Sequence, residues 1–218
     1  MRKMTGDDFS RQVTFFHQMA KTSWMIHLHE QIQEQTRSWK NQHVLDIGCA
    51  TGELLRKGVE EAASITGVDL SEDMVKKARV ETAPWEETTD CSFLVADAYS
   101  LPFSNQTFDI SLSTLVMFLL PEPKKGLQEM GRVMKPNGIS VLLNPSPSMN
   151  PKAAEHYADK MSISGFEREA LIKWSGVATQ RHRFQPEELG DLLYQHGAEH
   201  VEHSVSLGGL ALLTKAEW

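Results

Sequence analysis

The sequence predicts an α/β fold: a seven-stranded, mostly parallel sheet with an antiparallel last strand and helices on both faces. Two observations carry this. From Val44 to Leu143, short apolar runs alternate with helix-like patterns, as they do where parallel strands are joined by crossover helices. Further on, Val201–Val205 and Leu210–Thr214 read as strands joined by a tight reversal at Gly208-Gly209, and strands joined so closely must run antiparallel. With 218 residues, 40% of them hydrophobic and 23% charged, the chain suits one domain with a sizeable core.

The first segment, 1–40, reads as a helical cap. Phe9, Val13, Phe16 and Ala20 recur every three or four residues, and Trp24, Ile26, Leu28, Ile32 and Trp39 continue a looser pattern, so two helices are expected over 7–38. Such a segment can cover a sheet face or close over a ligand. His27 and His29 are two apart, cannot share a helix face as a metal pair, and read as solvated. Val44–Ile47 then suits a buried parallel strand, and Gly48 and Gly52 bracket a G-x-x-x-G turn. A helix is expected over Glu53–Ala63, with Leu54, Leu55, Gly58, Val59 and Ala62 on one stripe. The glycines allow close approach of a ligand, and the helix start offers N–H groups to an electronegative part of it. Ser64–Asp69 is the next strand, and Asp69 stands 21 positions after Gly48. A carboxylate there accepts from two ribose hydroxyls, so a ribose-containing ligand across the strand ends is expected.

Ser71 is a natural helix cap, with Glu72 and Asp73 in the first turn and Met74, Val75 and Ala78 inside. Cys91–Ala96 reads as the third strand, ending at Asp97-Ala98, and Phe108–Ser113 as the fourth. Pro121 and Pro123 open a helix, Leu127, Met130, Val133 and Met134 line its apolar side, and Lys135–Gly138 is expected to end it. Ile139–Leu143 is the fifth strand.

Four motifs stand in order: D-I-G-C-A-T-G at 46–52, G-V-D-L-S at 67–71, D-A-Y-S-L-P-F at 97–103 and E-M-G-R-V-M-K-P-N-G at 129–138. Together they resemble the class I S-adenosylmethionine-dependent methyltransferases, and most of all the small-molecule branch that includes the ubiquinone and menaquinone C-methyltransferases. The likeness is good over residues 40–145 and in outline elsewhere. It implies the Rossmann-like fold of that class, with S-adenosylmethionine as cofactor and S-adenosylhomocysteine as product. It also implies roles for particular residues. Gly48, Cys49, Ala50, Thr51 and Gly52 would form the turn against the methionine moiety, with Asp46 ordering its amino end and Thr114 nearby. Asp69 would bind the ribose, Leu70 and Met74 flank the adenine, and Asp97 with Ala98 read its amine. Val116-Met117-Phe118-Leu119 departs from the histidine or aromatic pair of many relatives, which removes a possible base and makes the pocket floor more apolar.

Residues 145–183 are the least typical stretch. Pro145–Pro151 reads as a loop, and helical patterns follow around 153–161 and 167–174. By resemblance this insertion is the substrate lid, with Met117, Met149, Tyr157 and Trp174 as acceptor contacts and His156 and His182 as candidates for a catalytic base. Residues 184–218 supply a last helix, with Leu189, Leu192, Leu193 and His196 inside and Gly197 as its stop, and then the strand pair. The single domain thus divides into cap (1–40), cofactor-binding core (41–144), lid (145–183) and C-terminal helix and strands (184–218).

A net charge of −7 with no Lys/Arg run argues against a nucleic-acid partner. Cys49 and Cys91 show neither disulfide nor metal spacing, so no metal site is expected. Met1–Ser10 lacks the apolar core of a signal peptide, and Ile110–Leu120 is too short to span a bilayer. The expectation is a cytoplasmic monomer or homodimer acting on a small-molecule methyl acceptor. Three readings compete: a methyltransferase acting on RNA or protein, a non-catalytic S-adenosylmethionine-binding protein, and an NAD-dependent oxidoreductase. The last is disfavoured because Ala50 stands where the G-x-G-x-x-G fingerprint needs its second glycine.

Overall fold

Three helices precede the first strand in the computed structural model, which describes residues 1–218 throughout. They are α1 (Gly6–Ser10), α2 (Val13–Met19) and α3 (Ser23–Gln35), one more than the periodicity predicts. The extra boundary is a break at Gln12, whose backbone leaves the helical region (φ −119°, ψ 12°), while Thr5 and Thr22 cap the starts of α1 and α3 by accepting from the amides of Asp8 and Met25. Only Met19 is buried in α2 and nothing in α1, whereas α3 buries Trp24, Met25, Leu28, His29 and Ile32.

The sheet then alternates with helices: β1 (His43–Ile47), α4 (Glu53–Arg56), β2 (Ser64–Asp69), α5 (Glu72–Thr82), β3 (Asp90–Val95), β4 (Phe108–Thr114), α6 (Pro123–Val133) and β5 (Met134–Pro145). Helices α7 (Pro151–Lys160), α8 (Gly165–Ala178) and α9 (Pro186–Gln195) lead to β6 (His200–Ser206) and β7 (Ala211–Glu217). The strand order is β3-β2-β1-β4-β5-β7-β6, with β7 antiparallel to both of its neighbours and every other pairing parallel. The order reverses beside β1, so the first and second turns open at the crevice where such sheets hold ligands.

Three local expectations need correction. The helix expected over 53–63 is a single turn. The amides of Lys57 and Gly58 reach back only three residues, to Leu54 and Leu55, and the ring of Trp39 lies 2.0 Å from where a Cβ on Gly58 would stand. Lys135–Gly138 does not stop a helix but forms an irregularity within β5. Helix α6 ends at Val133, Met134 already pairs with Phe108, and regular pairing resumes at Ile110 with Ile139. Asn137, at φ +63°, makes the reversal, and its amide donates to the carbonyl of Trp218 at 2.5 Å. Pro145 continues β5 opposite Ala211 rather than opening a loop.

Candidate active site

Strands β1, β2, β3 and β4 end at one edge of the sheet, and their C-terminal residues meet in one cavity. It is open on one side and mostly apolar. Its floor contains Asp46, Gly48, Cys49, Ala50 and Thr51 from the first turn. Asp69, Leu70 and Met74 come from the second crossover, Asp97 and Ala98 from the third, and Thr114 from the end of β4. Gly52 does not line the cavity; at φ +77° it is the N-cap of α4.

The backbone of the first turn is committed to itself. The amides of Gly48 and Cys49 both donate to the Val68 carbonyl, at 2.7 and 3.0 Å, and that of Gly52 donates to Cys49. Ala50, at φ +47°, donates its amide to Asp69 Oδ2 at 3.0 Å. Four of the turn's amides are thus satisfied within the chain, and the expected offer of N–H groups to a ligand falls to Thr51 and the first residues of α4, whose amides have no partner. Gly48 is required for another reason: at φ +80° a Cβ would stand 2.1 Å from Val116 Cγ2.

Asp69 is organised for binding. Its Oδ1 accepts from the Ser71 amide at 2.9 Å and its Oδ2 from Ala50, which fixes the plane and leaves one lone pair on each oxygen. Burial raises its pKa, while these backbone N–H groups and that of Leu70 pull it back. Asp46 has no such help. It is 2% exposed, neither oxygen has a hydrogen-bond partner, and Oδ1 is sealed from water. Burial, reinforced by the Asp69 charge, pushes its pKa up to about 8, so the carboxyl is mostly protonated at neutral pH. Thr114 Oγ1 is likewise sealed and unpartnered. Asp97 accepts from the Tyr99 amide at 3.0 Å through Oδ1 and pairs with Lys3 through Oδ2.

The roof comes from the N-terminal segment. Met4, Phe9, Phe16, Met19, Met25 and His29 all line the cavity, and Val116, Leu119 and Leu120 form a side wall. The segment is tied to three successive turns: His17 Nδ1 to Thr51 Oγ1 at 3.2 Å, Ser10 Oγ to Ser71 Oγ at 2.7 Å, and Lys3 to Asp97. Gly6 lies so close to the Leu70 carbonyl that a Cβ would stand 2.5 Å from its oxygen. His27 is exposed as expected, but His29 is 4% exposed. The stripe reading put Ile26 inside, and Ile26 is 37% exposed.

No residue of 145–183 lines the cavity, nor does Met117. Met117 and Met149 are fully buried in the core. Trp174 stacks on Trp24 with centroids 5.7 Å apart, and Tyr157 packs against Gly208. His156 is exposed on α7, and His182 stacks on Phe184. The structure therefore brings together the expected cofactor residues other than Gly52. It places the expected acceptor contacts and both candidate bases elsewhere. No cluster of metal-ligating side chains exists, and Cys49 and Cys91 are free thiols.

Residues 45–142 match the model of a family described as a methyltransferase domain. This span runs from β1 through most of β5 and carries the floor of the cavity. A demethylmenaquinone methyltransferase from Desulfitobacterium hafniense is 36% identical to the chain over 117 residues, which are 52% of this chain and 46% of that protein. The chain thus spans about half the length of the curated relatives it matches. Among solved structures, a SAM-dependent methyltransferase from Aquifex aeolicus superposes with a TM-score of 0.68 at 19% identity, covering 95% of this chain and 97% of that one. The [4+2]-cyclase SpnF superposes with a TM-score of 0.71 at 17% identity, covering 97% and 94%. The chain therefore has the fold of the S-adenosylmethionine-dependent methyltransferases. The helices that roof the cavity, and everything after β5, lie outside the matched span.

Proposed function

We propose that this chain binds S-adenosylmethionine across the strand ends and transfers its methyl group to a small, largely apolar organic acceptor. The observation that carries the reading is the chemistry of the floor. Asp69 is held by backbone amides with two lone pairs free, and Asp46, whose Oδ1 is sealed, leaves Oδ2 unpartnered in the same cavity, with the unpartnered hydroxyl of Thr114 beside it at the end of β4. A buried polar group without a partner costs about 1–3 kcal/mol, so such groups at a cavity point to a ligand that satisfies them. Asp69 suits the ribose hydroxyls, Asp46 and Thr114 the ammonium, and Asp97 the adenine amine, with Leu70 and Met74 beside the ring.

When bound, the cofactor supplies a methyl group already activated by a sulfonium, which an acceptor takes by in-line displacement. The chain's own part is positional. The turn and the three acids orient one reactant, and the apolar roof and side wall orient the other and exclude water. Positioning of this kind is worth roughly 7–11 kcal/mol of a barrier. The relatives named demethylmenaquinone methyltransferases recommend apolar quinol-type acceptors for a first screen. The likeness to a [4+2]-cyclase favours a second reading, in which the fold holds the cofactor without methyl transfer.

Calorimetric titration with S-adenosylhomocysteine tests the cofactor assignment. Micromolar binding is expected, weakened more than ~tenfold in Asp69→Ala, as loss of hydrogen bonds to a charged group implies. Unchanged affinity in that variant counts against the site. Transfer of a labelled methyl group to a candidate acceptor then separates catalysis from binding alone. An enzyme acting on a nucleic acid would instead show binding that falls steeply with salt.

A further inference from the structure

The cavity holds one more group that the roles above leave unused. His29, on α3, is 4% exposed and lines the cavity, yet neither ring nitrogen has a partner in the chain. Nδ1 is sealed from water, so Nε2 is the nitrogen left to face the cavity. We infer that His29 receives the carboxylate of the amino-acid end of the cofactor, while Asp46 receives its ammonium. This rests on the proposed S-adenosylmethionine site and adds a residue to it.

Three observations support the assignment. The first is the donor set. A carboxylate needs N–H or O–H groups; the amides of Gly48, Cys49, Ala50 and Gly52 are engaged within the turn, and those of Thr51, Glu53 and Leu54 at the start of α4 are the backbone donors left for it to share with a side chain. The cavity's lysine, Lys3, is paired with Asp97. His29 is the unengaged nitrogen donor among the lining side chains. The second is position. Gln33 and Glu34, one turn beyond His29 on α3, share a surface groove with Lys57 and Gly58, so α3 runs beside the end of the helix that the glycine turn starts. The third is charge balance. The Asp46 carboxyl is mostly protonated at neutral pH, and burial holds His29 neutral, with its pKa lowered to about 3. A zwitterion entering between them gives each side a partner of opposite charge. Asp46 gives up a proton to meet the ammonium, His29 gains one to meet the carboxylate, and the complex exchanges no net proton with solvent. Without the ligand, both groups avoid the cost of an unpaired buried charge by staying neutral.

The experiment compares two ligands that differ at this end. S-Adenosylhomocysteine carries the amino acid; 5′-methylthioadenosine keeps the adenine, ribose and sulfur but lacks it. Both are titrated calorimetrically into wild-type protein, His29→Leu and His29→Asn at pH 7, with the melting temperature of each variant recorded. The Leu variant is expected to bind S-adenosylhomocysteine ~tenfold or more weakly, the loss implied by one hydrogen bond to a charged group. Its affinity for 5′-methylthioadenosine is expected to change less than ~twofold, and the Asn variant, which keeps a donor, to recover part of the loss. Equal weakening of both ligands would assign His29 a packing role and overturn the inference, as would unchanged S-adenosylhomocysteine affinity in a folded variant. Wild-type protein that binds neither ligand would instead overturn the cofactor reading itself.

Discussion

Asp46 is a carboxyl group kept where water cannot reach it, and stability carries the cost. Its pKa is raised to about 8 in the folded chain, from the ordinary 3.8. Between those values the unfolded chain has released the proton and the folded chain still holds it, so this group lowers stability as pH rises from about 4 to about 8. Asp46→Asn removes that slope. The variant is expected to melt higher than wild type at pH 7 by at least ~2–4 °C, the shift that ~1 kcal/mol gives a chain of this size. The gain should shrink toward pH 4, and scanning calorimetry at the two pH values checks it. The same variant is expected to bind S-adenosylhomocysteine less tightly. Gly48→Ala has no such compensation: the new Cβ meets Val116 at 2.1 Å with φ at +80°, and a loss of ~1–3 kcal/mol in urea unfolding is expected. Much of this was legible in the sequence. Asp46, Asp69 and Asp97 could be placed because each stands where an apolar run gives way to a turn, and a strand end is a position that sequence spacing defines. His29 could not, because a hydrophobic stripe assigns burial by side-chain type. Nothing in the order Trp24-Met25-Ile26-His27-Leu28-His29 reveals that α3 turns a histidine inward and an isoleucine out.

At the scale of elements, the roof is built from the least anchored helices. Helix α1 buries nothing and α2 only Met19, and three part-buried polar ties, to Thr51, Ser71 and Asp97, hold them down. Hydrogen bonds of this kind contribute only about 0.5–1.5 kcal/mol each. Local opening of 6–19 therefore costs little, and it uncovers the whole floor. Hydrogen exchange of the amides in α1 and α2 is expected to be fast in the free protein. It should slow at least ~tenfold with S-adenosylhomocysteine bound, while β1 and β4 stay protected throughout. Exchange in 6–19 that ignores the ligand would show that the roof does not respond to it. The elements that sequence reading misplaced share a cause. Helix α4 stops after one turn because Trp39 occupies the space beside Gly58, and residues 135–138 bend within β5 because Asn137 bonds to Trp218. In both cases the partner is distant in sequence, and local propensity carries no record of it. The segment 145–183 forms two helices as its patterns suggest, but α8 packs on α3 through Trp174 and Trp24, which holds it away from the strand ends.

Across the whole molecule, the sheet orders its strands so that one edge carries every expected cofactor acid. The antiparallel pair at the far side adds stability without touching the cavity. Trp218 fastens that pair to the rest: its Nε1 donates to Ser140 Oγ at 2.7 Å, and its ring fills the space beside Gly131 on α6. Trp218→Ala is expected to lower unfolding stability by ~2 kcal/mol or more while leaving S-adenosylhomocysteine affinity within ~twofold. Urea denaturation and calorimetry on one sample test both halves. No helix is long and apolar enough to cross a membrane. The architecture was largely readable from strand–helix alternation, because a buried parallel strand advertises itself as an unbroken apolar run. Which segment would cover the strand ends was not readable, since both the first 40 residues and the stretch after β5 are helical and amphipathic.

The division of the cavity between a matched floor and an unmatched roof bears on how its specificity can be inherited. Floor residues from Asp46 to Leu120 lie within the family span, whereas the covering side chains from Lys3 to His29 lie ahead of it, joined to it by one short connection. Recombination at that connection exchanges the cover as a unit and leaves the sheet untouched. What the cavity admits can thus change through one segment of the chain, provided that the incoming segment brings a donor to the place that His29 holds.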